Sequence, residues 1–233
     1  MSELELVPLG ARATLDEAFA RALRSCYRVH GVDAVARPLP AEQREHVQLV
    51  IARDRRGVLL GGARIHAHRG GAGFPAELAL TGFPHTRRRF DALADDDAVE
   101  LSAMWTAPTA KRTGLARLIA QASIAGAIAL GKRTALTFSH QHFEHVLFPI
   151  GMRPLVGVAP IAFPTPSYRS RIYAAQLASL PDADATDRTL IREMAARFSA
   201  GIAAFSFEEL TEIEQGRPFS IRTDGALKQR AAS

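Results

Sequence analysis

Between Val99 and Leu155 the chain brings an acid, a hydroxyl and a glycine-containing turn into one stretch, VELSAMWTAPTAKRTGLARLIAQASIAGAIALGKRTALTFSHQHFEHVLFPIGMRPL. Glu100 and Ser102 lie in a β-type run that Pro108 stops. Strand alternation predicts Glu100, Ser102, Met104 and Thr106 on one face, with Leu101, Ala103 and Trp105 on the other. The turn Lys111-Arg112-Thr113-Gly114-Leu115-Ala116 then opens a helical pattern. Gly114 permits backbone conformations that a Cβ resists, and Ala116 keeps the following turn small. The first N–H groups of a helix have no partner within it, so with Lys111 and Arg112 beside them they suit a phosphate. A phosphate-bearing thioester laid beside an acid points to acyl transfer onto an amine. Such an amine must lose a proton before or during attack, and a carboxylate with a raised pKa, acting directly or through water, can take it. Glu100 fits that base. It also fits a structural ion pair with Arg64, and Arg64 in turn suits bidentate binding of a substrate carboxylate.

Other polar groups carry less. His140, His142, Glu144 and His145 lack the i, i+4 histidine pair of zinc hydrolases, and the single cysteine, Cys26, lies among apolar helix positions, so no metal site is expected. Ser102 has no flanking glycine and is not a nucleophile elbow. Ser139, His140, His142 and His145 are the groups near the strand end that could protonate a departing thiolate, and His140 is preferred. Tyr168 and Tyr173 fit either an acceptor pocket or ordinary half-buried strand positions.

The elements that must position these groups follow from periodicity. Leu4 to Leu9 reads as a strand. Thr14 and Glu17 have capping-box spacing ahead of the helical repeat Leu15, Phe19, Ala22, Leu23 and Cys26. Val47 to Arg53 and Val58 to Ala67 form a hairpin around Asp54-Arg55-Arg56-Gly57. His68 to Phe83 reads as a loop or insertion, and Arg87 to Leu93 as a short helix. After the Val99 strand come a helix from Gly114 to Leu130, a strand from Arg133 to Ser139 and a short helix from His142 to Ile150. Met152 to Phe163 and Tyr168 to Leu177 are expected to pair as strands. Thr186 to Ser199 forms an amphipathic helix, and Ser206 with Glu209 starts another. This order gives an α/β domain with a central mixed sheet flanked by helices.

Composition sets the outer bounds. The chain has 233 residues, 47% of them apolar, enough for one sizeable core. No run of about 18 apolar residues is present to span a membrane, and no signal layout opens the chain, so a cytoplasmic enzyme is expected. The net charge of +5 favours an anionic partner without identifying one. The run Arg87 to Arg89 reads as a solvated loop or as a docking patch for an acidic carrier protein or phosphates. No aromatics interleave with the basic residues, so a nucleic-acid partner is not expected.

Lys111-x-x-Gly114-x-Ala116 resembles the acyl-donor loop of the Gcn5-related N-acetyltransferase (GNAT) superfamily, Gln/Arg-x-x-Gly-x-Gly/Ala. Met104 to Pro108 falls where that family's fourth strand pairs with the donor's pantetheine arm, and Phe148-Pro149-Ile150-Gly151-Met152 where a Tyr-x-x-Leu-Gly-Phe segment usually stands. Gly61-Gly62-Ala63-Arg64-Ile65 followed by Glu100-Leu101-Ser102-Ala103 resembles the branch of acyl-homoserine-lactone synthases and N-acyl amino acid synthases, with Ala103 in place of an arginine and Leu147 in place of the usual tyrosine acid. The resemblance implies a GNAT-like domain over 1–180, a C-terminal helical extension over 181–215 and a flexible tail over 216–233. It implies no permanently bound cofactor but coenzyme A or a phosphopantetheine thioester as co-substrate. That donor would be held by Trp105, Thr106 and Lys111, Arg112, Thr113, Gly114, Leu115 and Ala116. Glu100, Ser102 and His140 would be catalytic and Arg64 acceptor-binding. The implied partners are a small amine acceptor resembling an amino acid and, as donor, coenzyme A or acyl carrier protein. The Phe198 to Phe207 segment fits either a homodimer face or packing on the core. The missing tyrosine leaves a non-catalytic thioester-binding or sensor protein as the alternative.

Overall fold

The computed structural model describes residues 2–36, 38–67 and 73–214. The expected tail over 216–233 and the start of the expected loop, 68–72, lie outside them. In chain order the elements are β1 (Glu3–Pro8), α1 (Ala13–Val29), α2 (Ala41–Arg44), β2 (Val47–Arg53), β3 (Leu59–His66), α3 (Pro75–Ala79), α4 (Pro84–Asp91), β4 (Ala98–Thr106) and α5 (Leu115–Ala129). There follow β5 (Thr134–His140), α6 (Glu144–Leu147), β6 (Arg153–Pro154), β7 (Ser170–Gln176), α7 (Ala185–Ser199), β8 (Ala204–Ser206) and α8 (Phe207–Glu214). The strands form one sheet in the order β6-β7-β5-β4-β3-β2-β1-β8. Its pairs are antiparallel except β4 with β5.

Helices cover both faces. On one, α5 packs Ile119, Ala122 and Ile124 against Leu4, Val50, Ala63, Ile65, Val99 and Leu101, and Leu190, Ile191 and Met194 of α7 join the same core. Burying each such large aliphatic side chain contributes about 2 kcal/mol. On the other face α1 sets Phe19 and Leu23 against Leu49, Ile51 and Trp105, while α3 and α4 set Phe74, Leu80 and Phe90 against Leu136 and Ile172. Gly61 and Gly62 of β3 admit both layers. A Cβ at 61 would stand 2.7 Å from Ile119 Cδ1, and one at 62 would stand 2.7 Å from Phe19 Cε2.

Local chemistry explains several boundaries. Asp54 accepts hydrogen bonds from the N–H groups of Arg56 and Val58 at 2.8 and 2.9 Å, closing the β2–β3 turn. Ser206 and Glu209 form the reciprocal cap at the start of α8, Ser206 N–H to Glu209 Oε2 at 2.6 Å and Glu209 N–H to Ser206 Oγ at 3.1 Å. The Thr14–Glu17 box does not form. Helix α1 starts at Ala13, which puts Thr14 inside its first turn, and Asp16 instead accepts the Gly10 N–H at 2.8 Å.

Other expectations shift. Part of the 68–83 loop is helical, because Pro75 opens α3 and Glu77 returns a carboxylate bond to the Phe74 N–H at 3.0 Å. The helix expected over Arg87 to Leu93 starts earlier, at Pro84, since proline suits a first helical position. Of the expected late strand pair, Arg153–Pro154 pairs with β7 and Ile161 bridges Ser170 at its start, without a continuous strand between them. The C-terminal extension is not purely helical: β8 adds an edge strand beside β1.

Candidate active site

Strands β4 and β5 are paired only over Ala98–Glu100 with Thr134–Leu136. Beyond Glu100, β4 continues to Thr106 against β3, and β5 continues to His140 against β7. The two parallel strands therefore part, and from Leu101 onward the β4 backbone has no strand partner on its β5 side among the described residues. Backbone polar groups left this way need another partner. A ligand rich in amides can supply one.

Within β4 the expected alternation breaks. Ala103 has φ +52, and the β3–β4 register slips so that Gly62 opposes Trp105 while Arg64 opposes Ser102. This is a β-bulge, and one extra residue turns everything after it to the opposite face. Met104 consequently packs with Leu101 on the α5 side, whereas Trp105 joins Phe19 on the α1 side at 5.9 Å between ring centroids. Met104 thus leaves the face of Glu100 and Ser102, and Trp105 takes it. The Trp105 indole is core, so any contact it makes with a donor is through its backbone.

Before the bulge, β3 and β4 present a block of four polar side chains on one face. Arg64 stands opposite Ser102 and His66 opposite Glu100. Glu100 is only 2% exposed. Its carboxylate accepts the Ala76 N–H of α3 at 2.9 and 3.2 Å. Burial pushes its pKa up to about 8; the Ala76 bond opposes that rise and the neighbouring Glu77 charge adds to it. An acid so placed takes up a proton near neutral pH, as a general base requires. His66, which sequence reasoning missed, lies 2.9 Å through Nε2 from Ser102 Oγ. The signal available was a second polar residue on the Arg64 face of an otherwise apolar strand.

The anticipated Glu100–Arg64 pair is not formed. Arg64, 9% exposed, lies over the Phe19 ring at 5.6 Å and makes no ion pair or hydrogen bond among the described residues. It borders a cavity of about 400 Å3 lined also by Leu9, Ala20, Leu39, Asp16 and Arg44. Burial lowers its pKa. A bound anion would offset that cost.

The loop that opens α5 is solvent-exposed. Lys111, Arg112, Thr113 and Gly114 are exposed, and Lys111 and Arg112 form no ion pair among the described residues. Arg112 and Gly114 have φ of +65 and +80, and a Cβ on Gly114 would meet nothing within 4 Å. The first bond of α5 runs from Leu118 N–H to Gly114 O, leaving the N–H groups of Leu115, Ala116 and Arg117 outside the helix ladder. The Leu115 side chain is buried, so that residue can offer only its amide. Thr113 Oγ1 donates to Ala110 O at 2.8 Å and braces the turn. Thr106 O accepts a thiol contact from Cys26 at 3.7 Å. The Arg117 guanidinium is tied to Asp187 of α7, which is fully buried and also accepts from Gln121 at 2.7 Å. That contact anchors the helix start.

His140 sits at the far end of β5, beyond the last residue paired with β4. Its ring lies 4.7 Å from Tyr168 and 4.8 Å from His142, and its Nδ1 accepts the His142 N–H at 3.1 Å. Partial burial and His142 lower its pKa, leaving a neutral ring with Nε2 as its donor. Tyr168 in turn donates to His30 O at 3.2 Å, bridging the β7 side to the end of α1. Tyr173 is buried and donates to Glu144 at 2.9 Å. Leu147 is buried in the core. Among the described residues, no three His, Cys, Asp or Glu side chains converge as metal ligands, and no helix is long and apolar enough to cross a membrane.

No protein-family model and no curated protein matches the chain. Solved structures do. FeeM, an N-acyl amino acid synthase from uncultured soil microbes, aligns with TM-score 0.58 at 11% identity over 78% of this chain and 95% of its own. The coenzyme A-dependent acyl-homoserine lactone synthase MesI aligns with TM-score 0.54 at 18% identity over 84% and 95%. BjaI, another such synthase solved with MTA, gives 0.57 at 9% identity over 92% and 100%. The chain shares the fold of these acyl-homoserine lactone and N-acyl amino acid synthases.

Proposed function

We propose that this protein is an N-acyltransferase that moves an acyl group from a coenzyme A or carrier-protein thioester to the amine of a small amino-acid-like molecule. The observation that carries this reading is the parting of β4 from β5 immediately after Glu100, with the open start of α5 beyond it. The donor's phosphates lie on the amides of residues 112–116 beside Lys111 and Arg112, and its pantetheine arm fills the gap along β4 as far as Thr106. The acceptor enters from the α1 side, with its carboxylate on Arg64. Its nitrogen attacks the thioester carbonyl, the proton passes to Glu100 directly or through water, and the C–S bond breaks as the tetrahedral intermediate collapses. A backbone N–H near Thr106 holds the oxyanion. The thiolate takes its proton from His140 Nε2 or leaves without a dedicated acid.

One observation favours a second reading. Leu147, buried where the resemblance places a tyrosine acid, removes the usual proton donor and fits a protein that binds thioesters without turnover.

The test incubates the protein with acyl-coenzyme A and acyl-carrier-protein thioesters and a panel of amino acids and other amines, following thiol release and N-acyl products by mass spectrometry. Amine-dependent thiol release with a matching N-acyl product is expected. Donor binding without product from any pair would replace transfer by the binding reading, and salt-dependent DNA retention with no thioester consumption would overturn both.

A further inference from the structure

The block on β3 and β4 contains a residue that the chemistry above leaves unused. His66 is 2% exposed, stands opposite Glu100, and touches Ser102 Oγ through Nε2 at 2.9 Å. Ser102 itself is only half-buried and lies on the face from which the acceptor enters. A serine–histidine contact invites comparison with a nucleophile and its base. Burial, with the Arg64 charge behind it, lowers the His66 pKa to about 3, too weak a base to activate a hydroxyl. The imidazole is therefore neutral, with one nitrogen donating and the other accepting.

Neutrality is what gives the contact its use. An isolated hydroxyl rotates freely about Cβ–Oγ, but one bonded to a buried ring does not. If Nε2 carries the proton, Ser102 accepts it and keeps its own proton to give. If Nε2 is bare, Ser102 donates to it and leaves its lone pairs for an amine N–H. Either way the ring fixes one of the hydrogen-bonding directions of Ser102 Oγ and narrows those that remain, on the strand face that also carries Glu100.

We propose that His66 is a positioning residue for acyl transfer: it fixes the Ser102 hydroxyl so that its free hydrogen-bonding capacity meets the attacking amine next to Glu100. This role rests on the acyl-transfer reading and adds a specific contact to it. It also explains why a histidine should lie inside the sheet where an apolar residue would pack at lower cost.

Glutamine and asparagine separate positioning from packing. A glutamine amide reaches the depth of Nε2, whereas an asparagine amide stops near Nδ1 and leaves Ser102 unheld. Steady-state kinetics of wild type, His66→Gln, His66→Asn, Ser102→Ala and the His66→Asn/Ser102→Ala double variant would be measured on one donor–acceptor pair. Donor affinity by calorimetry and the unfolding midpoint would be recorded for each. His66→Asn should lower kcat by about 30-fold with donor affinity unchanged, in line with the cost of small misplacements in a reacting geometry. His66→Gln should recover most of that loss, and the double variant should be no slower than Ser102→Ala. Equal kcat for the Asn and Gln variants would overturn the role, as would losses that multiply in the double variant. A wild type that acylates no acceptor overturns the acyl-transfer reading and this role together; an active wild type with an unaffected His66→Asn variant overturns this role alone.

Discussion

The two ends of the gap between β4 and β5 are built on opposite principles. At the α5 end the groups are exposed, charged and local: Lys111 to Ala116 form one continuous turn, and its amides need only Gly114 and the helix that follows. At the other end Glu100, Ser102, Arg64 and His66 come from two strands, three of them are buried, and Glu100 completes its bonding on a third element, α3. Under the proposed function the first region tolerates solvent because it would receive a solvated anion. The second is buried, which holds the Glu100 carboxyl near neutrality, and under the proposed function it would keep the Arg64 guanidinium unpaired until an acceptor arrives. Binding and proton transfer should therefore separate under mutation.

The sharpest separation is expected from Glu100→Gln. Turnover should fall by about 100- to 10,000-fold, the usual range for loss of a general base, while the calorimetric affinity for acyl-coenzyme A stays within about twofold. Wild-type kcat/KM should rise with pH up to about 8, where Glu100 titrates, and the variant's residual rate should lack that limb. Parallel loss of turnover and donor affinity would erase the distinction. Gly114→Glu should do the reverse at the other end, weakening donor affinity by about 100-fold or more through like charge at the phosphates and a side chain at positive φ.

Arg64→Met comes next. KM for a carboxylate-bearing acceptor should rise by about 10- to 50-fold, consistent with loss of a charge-assisted bidentate contact, with little change for an amine lacking the carboxylate. Its thermal midpoint should hold or rise, because a buried guanidinium without an ionic partner is replaced by a packing side chain. The neutral Glu100 carboxyl makes a related, pH-dependent contribution to stability. Its pKa is higher in the folded chain than in the unfolded one. That stabilisation is complete below the ordinary carboxyl range and is lost as pH rises toward about 8. Glu100→Gln should therefore exceed wild type in urea stability in alkali, by on the order of 5 kcal/mol. The smallest effect belongs to Ala103→Gly, which relieves a left-handed alanine and should add about 0.5 kcal/mol or more with turnover unchanged.

The turn that opens α5 was legible because its information is contiguous: a proline stop, two cations, a glycine and a helical repeat stand in order. The block around Glu100 was legible only in part. Glu100, Ser102 and Arg64 share a face by simple alternation, but their partners depend on strand register, which no local spacing encodes. The bulge was hidden because Ala103 carries no local mark of positive φ, as a glycine or asparagine would. That hidden residue sent Met104 and Trp105 to the opposite faces from those expected. The Ala76–Glu100 bond joins an element nested in an insertion to a central strand, and β8 is too short to announce itself.

The two side-chain-free positions at the start of β3 act as a gauge. Where Gly61 lacks a Cβ, Ile119 and the carbonyl of Trp105 close to within 2.7 Å of the space that atom would fill. The first turns of α5 are thus set at a fixed height above β4, and with them the span from the amide cluster to the strand edge. One methyl there would press on the Trp105 carbonyl and on Ile119 Cδ1, so β4, α5 or both would have to shift and that span would change. A ligand of fixed length would then reach the acid with its reactive carbon in the wrong place, although no residue touching it had changed.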